Sequence, residues 1–421
     1  MIQRFVVDTS AFLESGAGIF EAFQDGAEII LPLTVVRELE EKRGVEGLGF
    51  ASRQVLGILD ECSNKGDLSS GVAYKNVTIR VELNHVSTDD IPALQGYDKQ
   101  ADTRILAVAK HLDATLVTKD RPLRILAGLI QVPTLKDTKP AGLQDVDTIQ
   151  TLHISEDEMT ELYAAGTVRL EKELPLNSPA ILRTPAGGSA LAVQDRAWNY
   201  RLVKDRNVFS ISPRSAEQRF YVDHLLNQDI PIVSAAGAAG SGKTLLAVAA
   251  ALQQVQDTKT PYKRVMLFRS TQAVGDSDIG FLPGTAEDKW APYWGAVDDS
   301  LDVIFDKQSD KIRNLKRDKV IDVATPTFLS GRSLNGTIII VDEAQEFSLS
   351  VLHTIISRTG AGSKIILLGD IAQRNNRFVG RWDGIHQVIQ KFYGDRLFAH
   401  VTLMKSERSA VAEASARLLT D

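Results

Sequence analysis

One cysteine, Cys62, stands in 421 residues. A lone thiol closes no disulfide within the chain, and the usage suits a reducing, cytoplasmic setting. Long apolar runs are missing too. The longest, LLAVAAAL (Leu245–Leu252), falls far short of the ~20 residues that span a bilayer and reads as a buried helix. The opening apolar run stops after a few residues at Asp8, unlike a signal-peptide core. No membrane partner is therefore expected. Basic charge is not in excess. The formal net charge of −6 argues against nucleic-acid binding by bulk charge and leaves only a local basic channel. Internal repeats and low-complexity segments are absent, which sets aside repeat architectures. What is present is an ordinary globular composition, 43% hydrophobic and 24% charged. The length predicts two or three domains.

Strand and helix signals alternate over the first ~130 residues, which predicts a parallel sheet in a compact α/β domain. RFVV, AEIILPL, VTIRVEL and ATLVT read as strands, and TVVRELEEK, DTRILAVAKHL and KDRPLRILAGL as helices. From about Gln131 to Arg214 the texture changes. VPTLKDTKPAGLQD is loop-like, and SEDEMTELYAAG opens a short helix on a capping-box pattern of Ser155 and Glu158. SPAILRT and SALAVQ flank the turn PAGG and read as a β-hairpin. From Ser215 a second α/β pattern begins. PIVSAA, RVMLF, KVIDVA, TIIIVD, KIILLG and FAHVTL are mostly short apolar runs, as strands buried on both faces require.

GAAGSGKT (Gly237, Ala238, Ala239, Gly240, Ser241, Gly242, Lys243, Thr244) fits G-x-x-x-x-G-K-[ST]. An apolar strand precedes it and an apolar helix follows, the setting that a phosphate loop needs. Its glycines let backbone N–H groups point inward around phosphates, and the helix N-terminus adds its positive end. Lys243 is placed to reach the β- and γ-phosphates of ATP, and Thr244 to put its hydroxyl on Mg²⁺. TIIIVDEAQ (Thr337–Gln345) supplies the second half. Asp342 ends the strand, where it can hold Mg²⁺ through water, and Glu343 can orient and deprotonate the attacking water. Gln373, in ILLGDIAQ, can sense the γ-phosphate, and Arg408, in KSERS, can meet the transition-state charge. Gln218, in SAEQRFYVDHLL, lies where an amide can read adenine. Each of these last three also reads as an ordinary surface residue.

The order of these motifs, from about Phe209 to Ala416, resembles the PhoH-like ATPases, relatives of the superfamily 1 RNA helicases. GFLPG, within DIGFLPGTAEDKWAPYW (Asp278–Trp294), and GRSLN are its most specific pieces. The resemblance implies adenine contact for Gln218, sensing for Gln373 and a finger role for Arg408. It also implies homo-oligomeric rings, such as a hexamer, in which Arg408 would act on a neighbour's nucleotide.

The first domain poses a narrower question at Asp8, in MIQRFVVDTSAFLESG. Asp, Thr and Ser at a strand-to-helix junction commonly cap the helix. A carboxylate at the edge of a sheet can instead bind metal. Glu38 in VVRELE, Asp102 at the head of DTRILAVAKHL and Asp120 after ATLVT can join Asp8 at the carboxyl edge of a doubly wound sheet. Each alone reads as a cap, a solvated face or a turn residue. Together, four carboxylates would repel one another unless a cation sat among them. Hard oxygen ligands suit Mg²⁺ or Mn²⁺, which can activate water against an RNA phosphate. Asp98 would face the same way if its helix begins early. Ser10 and Thr118 can orient ligands, and Thr9 or Ser10 can cap the helix in place of Asp8. VVDTSAFL, VVRELE, ADTRILAVA and LVTKDRPLRILA resemble PIN-domain ribonucleases. A PIN-like domain followed by a PhoH-like ATPase is similar to mycobacterial-type proteins described as RNA helicases with ribonuclease activity.

The expected architecture is α/β: a PIN-like domain over residues 1–135, a linker with a small β module over 136–208, and a RecA-like P-loop NTPase domain over 209–421. The expected activity is ATP-dependent RNA unwinding coupled to metal-dependent endoribonuclease cleavage. Two alternatives are an RNA-remodelling ATPase with a non-catalytic PIN-like domain, and an ATP-regulated, toxin-like PIN nuclease. RNA backbone contact is expected at RNNRFVGRW (Arg374–Trp382). Trp290, Tyr293 and Trp294 read as core or interface residues.

Overall fold

The computed structural model describes residues 2–45, 49–87, 91, 100–136, 146, 149–238, 240–269, 286–324, 333–370 and 384–404. The chain divides into two compact units that part between Leu143 and Gln144. The first runs β1 (Arg4–Val7), α1 (Thr9–Ser15), β2 (Glu28–Pro32), α2 (Leu33–Lys42), α3 (Gly49–Ser63), β3 (Val72–Tyr74) and β4 (Val77–Glu82). It continues through α4 (Gln100–His111), β5 (Thr115–Val117), α5 (Arg121–Leu129) and β6 (Thr134–Leu135). Its sheet has the order β3-β4-β2-β1-β5-β6. The chain winds outward from β1 toward β4, then returns to place β5 on the other flank. The switch point of this sheet therefore lies between β1 and β5.

Three features differ from the sequence expectation. β3 pairs with β4 antiparallel while the other pairings are parallel, so the sheet is mixed at this edge. β6 forms inside the stretch read as a loop. Strands this short carry no periodicity, and their neighbours decide their pairing. α3 is an additional helix, with Val55, Leu59 and Cys62 on its buried side.

The second unit begins with β7 (Gln150–His153), α6 (Glu156–Ala165), β8 (Thr167–Val168), β9 (Pro179–Arg183), β10 (Ser189–Gln194) and β11 (Tyr200–Leu202). These strands form their own sheet, ordered β7-β9-β10-β11-β8. The capping box on α6 is formed by Ser155 and Glu158, and β9 and β10 make the expected antiparallel hairpin. Leu162, Val168, Leu182 and Tyr200 belong to the apolar core of this module. Arg201 joins it to the rest of the unit through paired contacts to Asp223 at 3.0 and 2.5 Å. The Asn177 amide donates to Phe398 O at 2.8 Å.

The unit continues through α7 (Ala216–Leu226), β12 (Ile232–Gly237), α8 (Lys243–Gln256), β13 (Arg264–Phe268), α9 (Ala286–Ile304) and α10 (Ser309–Arg317). It closes with β14 (Ile321–Ala324), β15 (Thr337–Val341), α11 (Leu349–Ser357), β16 (Lys364–Gly369), α12 (Ile385–Phe392) and β17 (Phe398–Leu403). Here the sheet is parallel at each pairing, in the order β14-β13-β15-β16-β12-β17. β15 explains the apolar runs. Ile338 and Ile340 face one core, and Ile339 and Val341 face the other, so the strand has no polar face. Leu246 to Leu252 of α8 are buried against the same sheet, as that run predicts. No helix among the described residues is long and apolar enough to cross a membrane.

His224 on α7 is fully buried, and neither ring nitrogen has a hydrogen-bond partner among the described residues. Burial pushes its pKa down to about 4, with Asp223 pulling the other way. The unfolded chain takes up this proton near pH 6.5, so between these values it binds more protons than the folded one, and stability falls as pH drops. The expected loss approaches about 3 kcal/mol by pH 4. Urea denaturation from pH 7 to 4.5 is expected to show a shallower pH slope in His224→Leu than in the parent protein. An unchanged slope would assign the acid sensitivity to other groups.

Candidate functional site

The ladder of the first sheet continues one residue past β1, where the Asp8 N–H donates to Val117 O at 2.9 Å. Asp8 occupies the N-cap position of α1, yet its side chain makes no capping bond. Its carboxylate accepts from Ser10 Oγ and, at 2.7 Å, from Thr118 Oγ1. Thr9 Oγ1 donates to the Glu38 carboxylate. Thr9 and Ser10 thus serve the acids, and the expectation that one of them caps α1 is corrected.

Burial pushes the Glu38 carboxyl above its ordinary pKa, the Thr9 hydroxyl opposes this, and the charges of Asp8 and Asp102 push it further up. Glu38 therefore shares a field with both of these acids. Asp120 does different work. It is the N-cap of α5, where its carboxylate accepts the Leu123 N–H at 2.8 Å. Thr118, fully buried, links the two ends of the edge by donating to Asp8 and accepting the Asp120 N–H at 3.0 Å. Among the described residues no three His, Cys, Asp or Glu side chains gather closely enough to hold a metal ion. Of the four expected acids, Asp8, Glu38 and Asp102 share one field, and Asp120 is engaged as the cap of α5. Asp98 lies outside the described residues.

The second site begins where β12 ends. Gly237, Gly240 and Gly242 hold φ values of 146, 83 and 87°. A Cβ on Gly237 would lie 2.4 Å from Leu403 O, so only glycine lets the loop leave beside β17. A Cβ on Gly242 would meet Gln218 Nε2 at 3.1 Å. The Lys243 ammonium folds back over the loop, donating to Gly237 O and, at 2.9 Å, to Ala238 O. Ser241 is buried beside it. Thr244 Oγ1 donates to Asp342 Oδ1 at 3.2 Å, which brings the two motif halves together. The Asp342 N–H donates to Phe268 O at 2.9 Å, the same last-rung arrangement as Asp8.

Burial raises the Asp342 pKa, Glu343 raises it further, and Arg269 and the Thr244 hydroxyl pull it back. Glu343 sits at φ 52°, ψ 45°, a strained conformation for a non-glycine residue. Gln218 is buried and braces the loop: Oε1 accepts the Arg214 N–H at 2.7 Å, and Nε2 donates to Ser241 O at 2.9 Å. An amide offers two donors and two lone pairs, so capacity remains for a base edge. Glycines at positive φ, an ammonium on loop carbonyls and a hydroxyl–carboxylate pair suit a nucleotide phosphate with a hard cation.

Ala239, Gln373, Arg408 and RNNRFVGRW lie outside the described residues, as do the side chains of Trp290 and Tyr293. The Trp294 ring lies under the Lys316 ammonium at 4.3 Å. Sequence reasoning missed Arg269 and Gln345. Arg269 follows RVMLF as Asp342 follows TIIIV, so its place at a strand end was the usable signal. Gln345 donates to the Glu343 carboxylate at 2.6 Å.

A family model described as PhoH-like protein matches residues 210–418, and another, described as PIN domain, matches residues 5–137. Protein PhoH2 of Thermobispora bispora is 37% identical over 430 residues, which cover 100% of this chain and 97% of the relative. Protein PhoH2 of Mycolicibacterium smegmatis is 37% identical over 435 residues with the same coverage. Protein PhoH2 of Bacillus subtilis is 32% identical over 447 residues and is covered completely, as is this chain. The chain belongs to the PhoH2 family. Its PIN match contains Asp8, Glu38, Asp102 and Asp120, and its PhoH match contains the phosphate loop, Asp342 and Glu343.

The strained acid field gives a prediction. The Glu38 carboxyl is raised in the folded state, so its charge opposes folding at neutral pH, and that penalty fades as acid protonates it. Glu38→Gln keeps an acceptor for Thr9 and removes the charge. Its melting temperature is expected to rise by about 2–5 °C at pH 7, with the gain shrinking toward pH 4.5. A lower melting temperature at pH 7 would mean that Glu38 is held by net attraction.

Proposed function

We propose that this PhoH2-family protein uses ATP hydrolysis in its PhoH domain to unwind RNA, and cleaves RNA at a Mg²⁺- or Mn²⁺-dependent site in its PIN domain. The domain limits we assign lie near residues 135 and 208. The observation that carries the ATPase reading is the meeting of the Thr244 hydroxyl with the Asp342 carboxylate, 3.2 Å apart beside the phosphate loop. Loop N–H groups and the Lys243 ammonium would bind the phosphates, while Thr244 and Asp342 would hold the cation. Bound there, the cation supplies charge neutralisation at the phosphate oxygens. Glu343 accepts the proton of the attacking water at its carboxylate. Gln218 steadies the loop and reads the adenine edge, Gln373 senses the γ-phosphate, and Arg408 reaches a neighbour's nucleotide in a homo-oligomeric ring such as a hexamer.

In the PIN domain Asp8, Glu38 and Asp102 would hold the metal, with Asp120 at the rim. Ser10 and Thr118 orient Asp8, and Thr9 orients Glu38. The pairing of these two domain types supports RNA as substrate. A second reading, an RNA-remodelling ATPase whose PIN domain binds without cutting, is favoured by the capping role of Asp120.

Two substitutions separate these readings. Asp8→Asn is expected to slow cleavage of a labelled single-stranded RNA by at least about a hundredfold with Mg²⁺ or Mn²⁺, and to lose any metal-induced rise in melting temperature. Undiminished cleavage would move the nuclease centre elsewhere, and a parent protein that hydrolyses ATP without cutting would favour the second reading. Lys243→Ala is expected to abolish ATP turnover and unwinding while sparing cleavage of a short single strand. Unchanged turnover would remove the phosphate loop from the mechanism.

A further inference from the structure

Gln345 is buried, only 4% exposed, and its amide is used at both ends. Nε2 donates to Glu343 Oε2 at 2.6 Å, and Oε1 accepts the Asp370 N–H at 3.0 Å. These partners fix the amide's orientation, because a backbone N–H must face the oxygen and a carboxylate must face the nitrogen. Asp370 is the first residue past β16, just as Asp342 is the first past β15. The Asp342 N–H meets a strand carbonyl, whereas the Asp370 N–H meets a side chain. Gly369 makes the room: a Cβ there would lie 3.1 Å from Gln345 Oε1 and 3.0 Å from Ile385 Cδ1. Glu343 itself stands on a left-handed backbone at φ 52°. Its carboxylate meets an amide that is itself fixed at its other end, and such a partner holds a side chain in one orientation.

We propose that Gln345 is a positioning residue for ATP hydrolysis, which holds the Glu343 carboxylate in line and ties it to the end of β16. The inference deepens the ATPase reading and rests on it. Gln345 transfers no proton. It contributes a donor at one end and an acceptor at the other, so the base is aligned while the end of β16 keeps its place.

The test measures ATP turnover and binding of a fluorescent ATP analogue by the full-length protein carrying Gln345→Met or Gln345→Glu, with Glu343→Gln and Lys243→Ala alongside. Gln345→Met is expected to lower kcat by about tenfold or more while KM and analogue affinity stay within about threefold. Gln345→Glu keeps the shape and the bond from Asp370, but sets a carboxylate against Glu343, and is expected to lower kcat further. Parent-like kcat in a folded Gln345→Met overturns the proposal. So does a loss of analogue binding that matches the loss of kcat, or a failure of both variants to fold, since either marks a purely structural residue. A parent protein without ATP turnover, or a Lys243→Ala variant with full turnover, removes the ATPase reading and the proposal with it.

Discussion

The last hydrogen bond of a parallel ladder fixes where the chemistry of each unit begins. Asp8 N–H to Val117 O and Asp342 N–H to Phe268 O are each 2.9 Å long, and each is the final rung at its edge. A strand buried on both faces stays apolar as long as its neighbours cover it. The first polar residue after it stands at the rim with its backbone already locked. What remains adjustable is the side chain, so a small set of neighbouring hydroxyls and amides is enough to orient it. Thr118 does this for Asp8, and Thr244 for Asp342.

Burial at these two rims creates an electrostatic problem that the rung does not solve. Glu38 and Asp342 are both pushed toward the neutral form by burial, and both have acids nearby that push the same way. A threonine hydroxyl pulls back in each case, Thr9 for Glu38 and, after the charge of Arg269, Thr244 for Asp342. A neutral donor offsets part of a desolvation penalty, and a hard cation offsets far more. The two rims thus share a chemical design although their sheets differ in strand order and in the helices that cover them.

Much of this was legible in the sequence because the physics leaves few choices. TIIIV and KIILLG lack polar alternation because both faces are buried, and the spacing of GAAGSGKT is dictated by the shape of a phosphate. The PIN rim was harder. An aspartate before a helix satisfies a metal and an N-cap by the same pattern, and only the fold separates Asp8, bound to Ser10 and Thr118, from Asp120, bound to the Leu123 N–H. Pro122, in the first turn of α5, fits that capped start. β3 and β6 are too short to announce themselves. Gln345 was invisible for another reason: its second partner, Asp370, lies 25 positions away, and no local pattern encodes that meeting.

The frame around the phosphate loop follows from where α7 is held. Near its start Gln218 grips Ser241 O. Toward its end Asp223 takes both contacts from Arg201 of the β module. Beyond that, the buried Lys364 ammonium donates to the carbonyls of His224, Leu225 and Asn227. Lys364 opens β16, and the far end of the same strand delivers Asp370 to Gln345 and so to Glu343. The β module, α7, β16 and the proposed base are therefore joined by side chains anchored on backbone groups or on ion pairs. A strained residue persists only where its surroundings over-determine it. The left-handed Glu343 needs such a frame, and the segment between the two α/β patterns, the least informative part of the sequence, supplies one of its fixed points.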